Sequence, residues 1–281
     1  ALDNRIVGVA LPTIRADLGG SIEALEWTVN AYTLAFAVLL ITGAALGDRF
    51  GRRRMFMIGV GIFTAASAAA ALAPSLDVLI AARAVQGAGA AIVTPLTLTL
   101  VSGAFPPEKR GAALGIWGGI SGLGVALGPL VGGAVIEGIS WHWIFWVNVP
   151  VGLVLIPLAW RNLEESTGPD KALDLPGLGL VGAGLFGLTF GIIRGESMGW
   201  TSTPIVASIV TGLALLAAFV AWEMRVKEPM LPMRFFKRRA FSATNGLSFS
   251  MFFGTFGAIF LLSQFFQPAQ GLGPLEAGLR T

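Results

Sequence analysis

The chain has 281 residues, of which 54% are hydrophobic and only 12% are charged, and its mean hydropathy is +0.76. Because about a quarter of the residues of a soluble domain are charged, this composition excludes a soluble globular protein. There is no Cys and a single His, His142, which excludes disulfides, thiolate metal sites, thiol catalysis and a His-rich metal centre. The net charge of +3, carried by basic residues in loops, favours membrane orientation over nucleic-acid binding.

Nine apolar stretches have the length of helices that cross a bilayer and lack the alternation of barrel strands. They predict an all-α membrane protein with nine spans, the first of them truncated. The spans lie near residues 1–13, 25–46, 55–73, 76–103, 110–136, 142–160, 175–194, 203–223 and 241–267. Since the chain starts without Met inside the first apolar stretch and ends in the approach to another helix, we expect it to be an internal piece of a larger, transporter-sized protein.

The basic residues are concentrated on alternate loops. Fourteen of the 19 Lys and Arg fall on one side of the predicted topology, and by the positive-inside rule that side is cytoplasmic. They are Arg49, Arg52, Arg53, Arg54, Lys109, Arg110, Arg161, Lys171, Arg225, Lys227, Arg234, Lys237, Arg238 and Arg239. The protein is therefore predicted to be a multi-pass integral membrane protein. Its expected location is the plasma membrane, the cell or inner membrane of a bacterium.

Two polar stretches predict the division of the chain. Residues 161–177, RNLEESTGPDKALDLPG, read as a linker after six spans, and a basic connector precedes the ninth span. The predicted layout is a transmembrane bundle (1–160), a cytoplasmic linker (161–174), two inserted helices (175–224), and a connector with the first helix of a second bundle (225–281).

The turn after the second span, GAALGDRFGRRRMF, combines glycines with charges. Gly43, Gly47 and Gly51 recur every four residues, so on a helix they would share one face and allow a close neighbour. Asp48 and Arg52 are predicted to form a conformational latch together with Gly47 and Gly51. The two arginines that follow, at 53 and 54, fit a topological anchor equally well.

The fourth span contains LIAARAVQGAGAA, with an ionisable residue inside the apolar run. An Arg at this depth costs at least about 2.5 kcal/mol, so Arg83 is a candidate functional residue, with Gln86 and the packing glycines Gly87 and Gly89 beside it. The alternative is that Arg83 only satisfies backbone carbonyls where helices cross.

The fifth span contains GGISGLGVALGPLVGGAVI. Gly124, Gly128, Gly132 and Gly133 permit tight helix contacts, while Pro129 removes a backbone hydrogen bond and bends the helix. This Gly-Pro pair is predicted to be a hinge, whereas ordinary glycine packing would explain only the glycines.

Aromatic residues mark the predicted interfaces. Trp141, Trp143 and Trp146 in WHWIFWVNVPVG are typical of an interfacial belt, and His142 among them fits an exposed interfacial residue better than a pH sensor. In the second span, Trp27 and Tyr32 are candidates for cavity lining, with packing as the alternative.

In chain order these segments resemble the major facilitator superfamily. Residues 43–53 are similar to its loop between helices two and three, residues 79–91 to its fourth-helix motif, and residues 118–136 to its antiporter motif. Residues 141–152 resemble the entry to helix six in the fourteen-helix drug:proton antiporters, with His142 where that branch usually has Arg.

The first span, LDNRIVGVALPTI, resembles a signature of the same branch. Asp3 falls at its membrane-embedded carboxylate, while Arg5 and Gly8 replace the usual Thr and Asn. The resemblance implies that Asp3 carries the coupled proton and that Arg83 tunes it. Arg5, two residues after Asp3, is a candidate to snorkel to the interface, to pair with a carboxylate elsewhere or to line the cavity. Gln86 is a further candidate for the cavity lining.

The resemblance implies a six-helix N-terminal bundle, two inserted helices and the start of a second bundle. It further implies efflux of amphipathic drugs or toxic compounds by alternating access, driven by the proton gradient without a cofactor. The alternative is an exporter of one specific metabolite, sugar or peptide. Expected partners are small amphipathic substrates, protons and the lipid bilayer, with no nucleic acid, and a periplasmic adaptor if the source has two membranes; the protein is expected to be monomeric.

Two other classes compete with a transporter. An enzyme is disfavoured because the sequence contains no P-loop, nucleotide-binding glycine pattern, nucleophile elbow or metal cluster. A channel would differ from an antiporter in that its substrate flux would not depend on a proton gradient.

Overall fold

A computed structural model describes residues 2–168, 174–227, 229–266 and 270, and all regular structure within these residues is helical. The helices are α1 (Leu2–Leu18), α2 (Ile22–Phe50), α3 (Arg52–Ala71), α4 (Leu76–Ala104), α5 (Pro107–Gly138), α6 (Trp143–Trp146), α7 (Asn148–Asn162), α8 (Leu175–Met198), α9 (Thr203–Glu223) and α10 (Arg239–Gln264), with a 3-10 helix at Met233–Lys237. The prediction of an all-α membrane protein is confirmed.

Among the residues that the structure describes, six helical segments are long and apolar enough to cross a membrane. They are α2, α3, α4, the stretch Trp143–Asn162, α8 and α9. Each of the nine predicted spans coincides with a helix, but the sixth is interrupted at Val147 between α6 and α7. Pro150 has no N–H to donate to the carbonyl of Trp146, which accounts for the interruption.

The turn between α2 and α3 is a single residue. Helix α2 continues to Phe50, so Asp48 lies inside its last turn, and α3 begins at Arg52. Gly51 between them has φ +104°, a backbone conformation that favours glycine. The expectation that Gly51 stacks with Gly43 and Gly47 on one helix face is therefore wrong, because Gly51 ends the helix.

Glycines bring the backbones of α2, α3 and α4 into contact. A Cβ at Gly43 would lie 2.4 Å from the carbonyl oxygen of Ala91, and one at Gly87 would lie 2.4 Å from that of Tyr32. On its other side α4 meets α3, where a Cβ at Gly89 would lie 2.7 Å from the backbone nitrogen of Phe63. Close backbone approach thus holds these three helices together.

Contacts between loops fix two ends of the helical array. At one end, which we call the basic end, the α2–α3 turn contacts residues 163–168 through the hydrogen bond from Arg52 N to Ser166 O. At the opposite end, Asp17 in the last turn of α1 contacts Trp141, which precedes α6. The α2–α3 turn, which carries Arg49, Arg52, Arg53 and Arg54, thus meets the chain that follows α7.

Helices α8 and α9 form a hairpin that packs on α2. Glycines again mediate the contact, since a Cβ at Gly212 would lie 2.6 Å from the nitrogen of Leu188. The Gly182 position on α8 faces Val38 of α2, with 3.8 Å between a Cβ built there and Val38 Cγ1. The boundaries predicted at residues 160, 174 and 224 remain a prediction.

Candidate functional site

The side chain of Arg83 lies fully buried on α4 at the centre of a polar network. Its Nε donates to the carbonyl oxygen of Thr28 on α2 at 2.9 Å, and its Nη1 donates to Gln86 Oε1 at 2.6 Å. Gln86 Nε2 in turn donates to Ser67 Oγ on α3 at 2.8 Å, and Ser67 Oγ donates to the carbonyl oxygen of Phe63. One cation thus connects three helices of the bundle.

Aromatic rings surround the same guanidinium. Its carbon lies 4.4 Å from the centroid of the Tyr32 ring and 5.7 Å from that of Phe145. A desolvated contact of this kind stabilises a cation by about 2 kcal/mol. Sequence reasoning identified Arg83, Gln86 and Tyr32, but not Ser67, Thr28 or Phe145, whose contacts are set by the helix crossings.

Arg83 binds the backbone carbonyl of Thr28 where α4 crosses α2, which is the contact expected if Arg83 only satisfies backbone carbonyls. The geometry also gives it a fixed orientation, because Gln86 and Tyr32 hold the guanidinium from two directions. Its part in proton coupling stays a prediction.

Helix α1 carries the predicted proton carrier. Asp3 and Arg5 lie on this helix, but their side chains are outside the described residues. The described part of α1 packs tightly, with Val7, Ala10 and Ile14 fully buried.

The predicted hinge lies where α5 packs on α1. Gly128 and Gly132 are buried, and a Cβ at Gly132 would lie 2.9 Å from Ile6 Cγ2. Nothing lies within 4 Å of a Cβ built at Gly133, and Gly124 is half-buried. The side chain of Pro129 is outside the described residues, and bending at this position stays a prediction.

The predicted latch residues contact one another across the α2–α3 turn. Arg52 donates to Asp48 Oδ1 from Nε at 2.8 Å, and its Nη2 lies 2.7 Å from the same oxygen. Gly47 packs on α4, where its Cβ would lie 2.1 Å from a methyl carbon of Leu96. Both charges of the pair therefore lie next to the one-residue turn at Gly51.

The α2–α3 turn is covered by a segment that the sequence analysis predicts only as a linker. Residues 163–168, which we call the strap, supply Glu165, whose carboxylate accepts from the backbone nitrogens of Arg53 at 3.0 Å and Arg54 at 3.1 Å. Gly168 N also donates to the carbonyl oxygen of Asp48 at 2.9 Å. The latch is thus bound to the chain that follows α7.

The strap satisfies the N-terminal amides of α3. The nitrogen of the N-cap residue Gly51 donates to Gly47 O at 3.1 Å, that of Arg52 donates to Ser166 O at 2.8 Å, and those of Arg53 and Arg54 donate to Glu165. All four donors that a helix start leaves unpaired are therefore bonded. Sequence reasoning missed Glu165, because the neighbouring Glu164 is of the same type and only the fold distinguishes the two.

At the end of the bundle opposite the basic end, Trp141 is buried, although an interfacial position was expected for it. Trp141 is 2% exposed and donates from Nε1 to Asp17 Oδ2 at 2.8 Å. Its ring stacks on His142 and meets Phe145 edge-on. The prediction that Trp141 belongs to an exposed belt is wrong, because Asp17 provides an internal partner, whereas Trp143 is half-exposed.

Trp27 lies between the first bundle and the inserted hairpin. Its ring contacts Phe190 of α8 and the guanidinium of Arg194, whose carbon is 5.6 Å from the ring centroid. Arg194 also forms an ion pair with Glu23 of α2. The structure thus shows Trp27 as a contact to α8, and its role in lining a cavity stays a prediction.

Comparison with known proteins places this arrangement in a family. The sequence pattern of the Major Facilitator Superfamily matches residues 1–280. An uncharacterized MFS-type transporter of Mycobacterium tuberculosis is 40% identical over 280 residues, covering 99% of this chain and 48% of the relative. The tetracenomycin C resistance and export protein of Streptomyces glaucescens is 35% identical and covers 99% and 52%, respectively.

A further relative and a solved structure agree. The multidrug resistance protein Stp of Mycobacterium tuberculosis is 38% identical, with 99% of this chain and 52% of that protein covered. A crystal structure of the peptide transporter POT with sulfate has a TM-score of 0.57 at 18% identity, covering 80% of this chain and 51% of that one, which is a likeness of fold. The chain spans about half the length of these relatives.

Proposed function

The chain belongs to the Major Facilitator Superfamily, and we propose that it forms the first bundle and the inserted hairpin of a proton-coupled exporter of amphipathic drugs or toxic compounds. The exporter works by alternating access in the plasma membrane. Because the chain spans about half of its relatives, transport belongs to the whole protein. Relatives named for antibiotic export and multidrug resistance support this substrate class.

The observation that carries the proposal is the fully buried Arg83. A cation in the apolar interior is costly and marks a functional site by default. Here it is oriented by Thr28, Gln86 and Tyr32 on two helices, so its charge acts from a fixed position on groups near it.

The mechanism assigns separate tasks to the predicted residues. Asp3 binds the proton in competition with substrate, and Arg83 adjusts how tightly that proton is held. Arg5, Trp27, Tyr32 and Gln86 line the cavity. At the basic end, which we assign to the cytoplasm, the latch pair Asp48 and Arg52 holds the bundle until the conformation changes, and the glycines with Pro129 in α5 allow the bending.

The α8–α9 hairpin supports membership of the fourteen-helix branch. It follows the first bundle directly as two apolar helices and contacts α2. A twelve-helix transporter has no such pair between its two bundles.

The test measures efflux from vesicles that contain the full-length protein under an imposed pH gradient. Asp3→Asn is expected to abolish gradient-driven efflux. Arg83→Lys is expected to slow it about tenfold or more, since a charged hydrogen bond contributes about 1.5–3 kcal/mol and about 1.4 kcal/mol corresponds to tenfold in rate. Asp77→Asn and Arg15→Lys, which change exposed residues of the same types, should transport like the wild type.

The same vesicles separate the alternatives. Gradient-driven efflux by both Asp3→Asn and Arg83→Lys at the wild-type rate would overturn the assignment of the coupling residues. Flux that ignores the gradient in the wild type would indicate a channel. A panel of amphipathic cations, sugars and peptides tests the substrate class, because a narrow exporter would move one member of it.

A further inference from the structure

Two buried carboxyl groups meet at the basic end of the α8–α9 hairpin. Asp174 precedes α8 and is 8% exposed, and Glu223 ends α9 and is 2% exposed. A Cβ built at Gly177 would lie 2.4 Å from Asp174 Oδ2 and 3.1 Å from Glu223 Oε1. Both oxygens therefore border the same small space, which only a glycine leaves open.

Asp174 accepts hydrogen bonds on both of its carboxylate oxygens. Asp174 Oδ1 accepts from Gly177 N at 2.9 Å, and both carboxylate oxygens accept from Trp222 Nε1, at 3.0 and 2.8 Å. The group also caps the N-terminus of α8, where the helix dipole stabilises an anion.

Glu223 accepts a hydrogen bond from the described residues on only one of its two carboxylate oxygens. Its Oε2 accepts from the backbone nitrogen of Leu231 at 2.8 Å, while its Oε1 is buried and has no hydrogen-bond partner among the described residues. Two desolvated carboxylates side by side do not both stay ionised. A proton on Glu223 Oε1 would remove the repulsion between the two carboxylates. It would also allow Oε1 to donate a hydrogen bond.

We propose that Asp174 and Glu223 form a proton-binding site in which Glu223 carries the proton and donates it to Asp174, and that loss of this proton fastens Leu231 more tightly to the end of α9. The fastening bond is the one that Leu231 N donates to Glu223 Oε2. Loss of the proton places two negative charges against each other, so Glu223 turns from Asp174 towards Leu231, and an ionised carboxylate accepts the stronger hydrogen bond. The chain that leads towards α10 is thereby coupled to protonation.

The neighbouring charges leave this assignment in place. Among the described residues, the charge that acts on Glu223 is Asp174. Arg225 and Lys227, which follow α9, have exposed side chains. On α2, which packs against α8, Asp48 is paired with Arg52, and Arg49 lies over the ring of Phe50. Asp170, Lys171 and Glu228 lie outside the described residues.

Infrared spectroscopy of the full-length protein tests the site without any transport measurement, so its outcome is separate from that of the proposed function. At neutral pH the wild type is expected to show a protonated-carboxyl band that Glu223→Gln lacks, equivalent to one group per chain. Asp174→Asn should also lose the band, because its amide would donate to an ionised Glu223. Glu196→Gln, an exposed residue at the other end of α8, should keep it.

Hydrogen exchange of the Leu231 amide tests the consequence. Protection of this amide, corrected for the intrinsic pH dependence of exchange, should rise over the pH range in which the band disappears, because the ionised carboxylate is the better acceptor. Glu223→Gln should show no such step. Absence of the band in the wild type, its persistence in Glu223→Gln, or protection that is unchanged as it disappears would each overturn the proposal. A band that forms only when Na⁺ and K⁺ are removed would identify a metal cation as the ligand instead.

Discussion

The carboxylate of Glu165 caps the N-terminus of α3. The N-cap residue itself, Gly51, has no side chain that could do so. Gly51 is required there because its φ of +104° turns the chain between two helices within one residue. The turn and the cap therefore come from residues more than a hundred positions apart. A latch of Asp48 and Arg52 alone would leave the amides of Arg53 and Arg54 without protein partners.

Removing this cap should loosen the turn. Glu165→Ala is expected to lower the stability of the protein by about 1 kcal/mol, as the loss of a capping side chain usually does. Thermal unfolding of the purified protein measures the effect. The unfolding temperature of Glu165→Gln, which keeps an acceptor oxygen, should fall less than that of Glu165→Ala. The substitution Glu164→Ala at the exposed neighbour is the matched control. Equal unfolding temperatures for Glu165→Ala and Glu164→Ala would contradict the capping role.

Glycine spacing decides how α2, α3 and α4 pack as elements. Gly43 and Gly87 allow the backbones of α2 and α4 to touch, and Gly89 does the same between α4 and α3. The remaining glycine of α4, Gly103, makes no such contact, since a Cβ built there would meet nothing within 4 Å. The helix thus offers its own comparison.

Only the first of the substitutions Gly87→Ala and Gly103→Ala should destabilise the protein. Gly87→Ala places a methyl group 2.4 Å from the Tyr32 carbonyl oxygen and is expected to destabilise the protein by about 1–3 kcal/mol, as overpacking does. Gly103→Ala should be neutral or stabilise it by about 0.5–1 kcal/mol, because Ala favours the helix. Thermal unfolding of both variants checks this, and a Gly87→Ala protein as stable as the wild type would show that α2 and α4 are farther apart.

Sequence reasoning predicted the elements well because apolar length and glycine period are local properties. A helix lies at each of the nine predicted spans, and six helical segments of the described residues are long and apolar enough to cross a membrane. The Gly43–Gly47 contact face and the buried Arg83 could also be read from short segments. The burial of Trp141 could not, because its partner Asp17 lies 124 positions away. The strap was missed for the same reason, and the end of α2 at Gly51 depended on a chain reversal that helical periodicity does not report.

At the scale of the whole molecule, the inserted hairpin is attached to the first bundle at several depths. Glu23 and Arg194 pair at the opposite end, Trp27 contacts Phe190 below them, and Gly182 faces Val38 farther along α2. In a rocking-bundle transporter, a hairpin held in this way would move with the first bundle as one body.

A disulfide between α2 and α8 tests this attachment. The chain has no Cys, so Val38→Cys with Gly182→Cys, made in a full-length protein without other cysteines, provides a defined pair. Because a Cβ at position 182 lies 3.8 Å from Val38 Cγ1, oxidation should link the two peptides, as detected by mass spectrometry. The pair Val38→Cys with Gly179→Cys, whose Cβ would face open space, should link far less. If hairpin and bundle move together, the oxidised protein should export substrate as fast as the reduced one. Export that stops on oxidation and returns on reduction would mean that α8 slides along α2 during transport.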